Sequence, residues 1–186
     1  MIGKKNIVFG FLYLVLTAAL GPYMVEVVLP DMSSADAAKQ ETMAALQLMA
    51  SNDFEAELEP MSAAEIARTN SHALLALNGQ LNAEAPLEAI KGGPHAHGNL
   101  EALLNIAAGL VLCFVLARPM IKQLISWLFI LGALLHSGSL YLAIVFNLGW
   151  AQQVLSTGIG PILLLAGLLL MGIASAFGFR GQLAEH

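Results

Sequence analysis

The sequence predicts an all-α integral membrane protein, a four-helix bundle with a long helical extracytoplasmic loop between helices 1 and 2. Three observations predict it. Of 186 residues, 58% are hydrophobic and only 11% are charged, and the charged share is under half that of an ordinary soluble domain. The apolar residues gather in four runs of about 20, long enough to cross a bilayer's hydrocarbon core. The acidic residues gather in one segment between the first two runs. A soluble core of this length could not bury so much apolar surface.

Transmembrane helix 1 is expected within residues 1–30, with its apolar run from Asn6 to Leu29. Lys4-Lys5 ahead of that run resembles the start of a signal peptide. The apolar stretch continues through Tyr23 to Leu29 with no small-x-small site after it, so an uncleaved helix is expected. Gly21-Pro22 interrupts it, because proline removes a backbone hydrogen bond and kinks a helix.

Residues 31–94 form the acidic loop, too long for a simple connector. Short amphipathic helices are expected inside it. Ser33 or Ser34 can cap one that runs to about Ser51, with Met43, Leu46 and Met49 on one face. Ser62-Ala-Ala-Glu65 reads as a capping box for another, to about Leu77. Gly92-Gly93-Pro94 closes the loop.

Residues 95–186 hold transmembrane helices 2–4, at about His97 to Ala117, Ile121 to Phe146 and Val154 to Phe177. Gly160-Pro161 is expected to break the fourth. Gly158, Gly160, Gly167 and Gly172 would let that helix approach a neighbour closely, in a homo-oligomer or a larger membrane complex.

Charge sets the expected orientation. Lys4, Lys5, Arg118, Lys122 and Arg180 fall on one side, which the positive-inside rule makes cytoplasmic. Both termini are then inside and the acidic loop outside, as in a bacterial inner-membrane protein. An acidic outer face and a net charge of −5 give no support to nucleic-acid binding. Cys113 is the single cysteine, which excludes an intrachain disulfide and a cysteine-based zinc site. The sequence contains no nucleophilic triad, phosphate-binding loop or dinucleotide fingerprint. It also lacks the membrane carboxylate pairs of familiar ion pumps.

The informative segment runs from His95 to Asn105. His97, Glu101 and Asn105 are spaced i, i+4, i+8, which puts all three on one helix face. A carboxylate in a membrane helix is expensive and faces a partner or a cavity. Helix 3 supplies His136, Ser137 and Tyr141. Counting about 1.5 Å per residue from Pro119 sets His136 level with Leu103, and His97 roughly 9 Å further out. With helix axes about 9 Å apart, the two histidine Cα atoms are expected about 13 Å apart, leaving room for a flat cofactor between the rings. Glu101 can instead pair directly with His136. Imidazoles ligate haem iron, copper and zinc alike, and an apolar bundle able to enclose a large flat ring favours haem b. His95 with His97 at the outer rim is a candidate copper or zinc pair.

The chain resembles the small four-helix membrane proteins of the styrene oxide isomerase type. The likeness rests on Ala96-His97 opening helix 2, Asn105 further along it, Tyr141 in helix 3 and an apolar, Gly-rich helix 4. It spans roughly Pro86 to Gly181, and helix 1 loosely. The resemblance implies a haem b ligated by His97. Its ferric iron would act as a Lewis acid on an epoxide oxygen, with Asn105 and Tyr141 holding the substrate. The His-Ala-His-x-Asn-Leu start is also similar to small membrane relatives of haem-copper oxidase subunits.

Three readings follow. The first is a haem-dependent isomerase with an open sixth position, taking a small lipophilic substrate from the bilayer. The second is an electron-transferring cytochrome b with His97 and His136 both on the iron, serving a redox partner. The third is a cofactor-free accessory subunit of a larger membrane complex.

Overall fold

The computed structural model describes residues 2–56 and 59–180. In chain order it contains α1 (Lys4–Ala18), α2 (Leu20–Tyr23), the π-helical segment π1 (Met24–Val28) and α3 (Leu29–Ser51). Next come the two-residue strands β1 (Glu55–Ala56) and β2 (Glu59–Pro60), then α4 (Ala63–Ile90), π2 (Lys91–His95) and α5 (Ala96–Phe114). The chain continues with α6 (Pro119–Ala133), π3 (Leu134–Gly138), α7 (Ser139–Ile144), α8 (Gly149–Ser156) and α9 (Ile159–Gly178). Four helical stretches are long and apolar enough to cross a membrane: Lys4–Ser51, Ala63–Phe114, Pro119–Ile144 and Ile159–Gly178. The chain divides into two compact units, one of Met1–Gly21 with Ala89–His186, the other Pro22–Glu88.

In the first unit, α1 packs along α5, and α6 along α9. Small residues set the first pairing. A Cβ on Gly10 would sit 2.6 Å from the Ala102 carbonyl oxygen, one on Gly109 2.6 Å from that of Gly3, and one on Gly98 2.4 Å from Thr17 Cγ2. Close backbone approach of this kind is how helices associate where lipid offers no hydrophobic gradient. The core between α5, α6 and α9 is Ala108, Leu112, Ile125, Phe129, Leu164 and Met171. The outward faces stay apolar: Phe11, Leu12 and Val15 on α1, Ile162, Leu165 and Leu169 on α9, all exposed. Polar groups are turned inward. Asn6 Nδ2 donates to Asn105 Oδ1 at 3.0 Å and to the Ser126 carbonyl at 3.0 Å, and Ser126 Oγ donates to Asn6 Oδ1.

Helix 4 differs from the sequence expectation. The break falls at Thr157-Gly158, between α8 and α9, where Gly158 takes a left-handed conformation with φ of 67°. Pro161 therefore lies in the first turn of α9, where its missing N–H leaves no helical bond unmade. The first break is where proline puts it, with α1 ending at Ala18 and a wide π turn following α2. Of the expected small residues, Gly160 and Gly167 do contact α6 and π3, whereas Gly158 and Gly172 face open space.

The second unit is a helical hairpin, and its helices are longer than expected. α3 runs 23 residues and α4 runs 28. Ser33 and Ser34 do not cap α3. Their hydroxyls donate back to the Leu29 and Asp31 carbonyls inside the helix, the competing use of serine. The capping box at the start of α4 is present: Ser62 N donates to Glu65 Oε2 at 2.9 Å and Glu65 N to Ser62 Oγ at 3.3 Å. Those bonds, the Ser62 hydroxyl foremost, hold the Glu65 carboxyl below its ordinary pKa. On α3, Lys39 does the same for Asp36, 2.7 Å away. α4 continues through Pro86 to Ile90.

Candidate metal centre

The site is built where α5 faces π3. His97 and Glu101 are one turn apart on α5, and His136 comes from π3. One potential ligand atom from each of the three lies within 4.8 Å of the others. The His97 and His136 rings meet edge to face, with centroids 4.9 Å apart. The gap for a flat cofactor that helix counting set between the rings is therefore not there. α5 ends at Phe114, not near Ala117, and Val115 to Arg118 link it to α6 through extended backbone. His97 lies seventeen residues before Phe114 and His136 seventeen after Pro119. The two histidines are thus level.

Glu101 is 2% exposed and is held from two sides. His136 Nδ1 lies 2.5 Å from Glu101 Oε1. Ser137 Oγ donates to the other oxygen, Oε2, and Tyr13 Oη lies 2.8 Å from Ser137 Oγ. With the Ser137 proton directed at Glu101, Tyr13 is the donor of that pair. Hydrogen bonds through Tyr13, Ser137, Glu101 and His136 thus link α1, π3 and α5. Gly160 of α9 seats the back of the site, since a Cβ there would fall 2.6 Å from the His136 backbone nitrogen.

Sequence reading named His97, Glu101 and His136 as candidate ligands but set the two histidines too far apart for contact; in the structure the three converge. Asn105 lies one turn along, in the buried helix interface. Its amide donates to the Glu101 and Phe129 carbonyls and its oxygen accepts from Asn6. Tyr141 packs on Phe146 with ring centroids 5.8 Å apart. His95 turns toward α1, its Nδ1 3.1 Å from the Thr17 carbonyl oxygen, so it is not paired with His97. Ser137 was noted in helix 3 but given no role, and Tyr13 was missed. Ser137 adjoins His136 in sequence, but Tyr13 is 124 residues from Ser137, beyond any local pattern.

Two imidazoles and one carboxylate are donors for a divalent transition metal, zinc or iron among them. Ligand atoms about 2.1 Å from an ion stand roughly 3.3 Å apart, so small side-chain rotations would close the site. A porphyrin between two axial histidines needs the rings on opposite faces of the macrocycle. Here they touch, so a haem ligated by both does not fit this arrangement. No family model, curated protein or solved structure matches the chain.

Proposed function

We propose that this chain is an integral membrane protein whose four-helix bundle holds one divalent transition-metal ion on His97, Glu101 and His136. The observation that carries the reading is the convergence of those three donors from two elements, with the carboxylate buried and oriented by Ser137 and Tyr13. Intramembrane ionisable groups in register mark function more often than packing. Outward apolar faces and an inward polar network support membrane insertion. With the basic ends inside, the metal would lie in the outer half of the bilayer. His97 is exposed, so a small lipophilic ligand has a route to the ion from the lipid side. An ion with open positions would polarise an oxygen of that ligand as a Lewis acid.

Cobalt(II) titration of the detergent-purified, metal-stripped protein tests this. One equivalent should produce ligand-field absorption that zinc abolishes, absent from His136→Ala. Failure to bind cobalt or zinc sinks the reading. A haem Soret band in the protein as purified, lost in His97→Ala, would reassign His97 to a haem.

A further inference from the structure

At the opposite end of the first unit lies a second feature that the metal reading does not use. The two segments leaving α5 and α9 run side by side. Val115 and Phe179 form an antiparallel bridge, Leu116 N donates to the Gly178 carbonyl at 2.7 Å and Arg180 N to that of Phe114 at 3.0 Å. Gly178 permits this, because a Cβ there would fall 2.5 Å from the Leu116 carbonyl oxygen. The paired segments floor a groove of about 390 Å³ between α6 and α9, walled by residues such as Ile121, Leu124, Ile173 and Phe177. Among the described residues, Arg118 is the only charged one lining it.

We infer that this groove binds one anionic phospholipid, with an acyl chain between α6 and α9 and the phosphate on Arg118. The inference rests on membrane insertion but not on the metal. Three observations favour a lipid. The walls are half-exposed aliphatic side chains rather than a sealed core: Ile121 is 42% exposed, Leu124 53% and Ile173 48%. The charge sits at the end of the apolar stretch, as a headgroup sits at the end of its chain. No hydrogen bond or ion pair engages the Arg118 side chain among the described residues. A guanidinium matches a phosphate with two parallel hydrogen bonds, and basic pockets between transmembrane helices take anionic headgroups. Arg180, two residues past Gly178, adds charge at the same end.

Native mass spectrometry of the full chain in detergent tests the inference, using phosphatidylglycerol and phosphatidylcholine with the same acyl chains. The wild type should retain one phosphatidylglycerol per chain in preference to phosphatidylcholine. Arg118→Gln should reduce that preference about fivefold, the effect of one basic residue at an anionic surface, and Arg118→Lys should keep part of it. Ala174→Trp, which fills the groove, should expel both lipids. Melting curves identify any variant that fails to fold; Leu124→Trp then replaces Ala174→Trp. Equal retention of the two lipids by the wild type, or an undiminished preference in Arg118→Gln, overturns the inference. So does a lipid-free dimer that Ala174→Trp dissociates, which would assign the groove to a second copy.

Discussion

Replacing Gly160 with alanine adds one methyl group at the point where α9 carries the site. That methyl would lie 2.6 Å from His136 N, 2.7 Å from Leu135 C and 2.8 Å from His136 Cβ. Ordinary contact begins at 3.4 Å, so a gap of about 0.8 Å must open, and two of the three atoms are backbone that cannot swing aside. Overpacking of this kind costs about 1–3 kcal/mol. The displacement falls on His136, and a site displaced by more than about 0.5 Å loses its geometry. Metal affinity should therefore drop by roughly tenfold or more, the scale set by disturbed supporting shells. Gly172→Ala is the control, on the same helix with open space around its Cβ. It should be neutral or stabilising by up to about 1 kcal/mol, since glycine is the poorer helix former. Unfolding in mixed micelles and competitive zinc titration of both variants give the two readouts. If Gly160→Ala matches Gly172→Ala in stability and affinity, the seating of His136 on α9 is refuted.

Tyr13→Phe removes the donor to Ser137 and should weaken metal binding about tenfold while leaving stability within about 1 kcal/mol, checked by the same titration and by melting. Asn6→Ala deletes three hydrogen bonds to Asn105 and Ser126. At about 0.6 kcal/mol each in a membrane bundle, unfolding in mixed micelles should show a loss of roughly 2 kcal/mol. In the hairpin, the folded-state pKa of Glu65 is depressed by Ser62. The α4 cap therefore contributes stability above the ordinary carboxylate range and loses it as pH falls through the lowered value. Amide exchange at the first turn of α4 should report that loss, and Ser62→Ala, which keeps only the backbone N–H donor, should reduce its pH dependence.

Much of this was legible in the sequence. The i, i+4, i+8 stripe put Glu101 and Asn105 on the inward face of α5, and both are buried there. The pairing of Glu101 with His136 was one of the open choices. The level of His97 was not legible, since it depends on α5 ending at Phe114 and on the extended link after it. No periodicity signals that link, because Val115 to Ala117 are as apolar as the helix before them. Depth counting also assumes uniform rise, and π3 carries His136 through a wider turn. The Asn6–Asn105–Ser126 and Tyr13–Ser137 contacts join positions about a hundred residues apart, visible only once α1 lies on α5 and α6. α3 read short because Ser33 and Ser34 look like caps, yet the helix runs through them, and α4 runs on past Leu77 to Ile90.

Elemental analysis of protein purified from cells supplied with iron, copper and zinc tests the central claim most directly, alongside His97→Ala and His136→Ala purified in parallel. One metal ion per chain in the wild type, reduced to background in both variants, is the expected result. Wild-type protein without metal above background, or metal content unchanged by both substitutions, would contradict it.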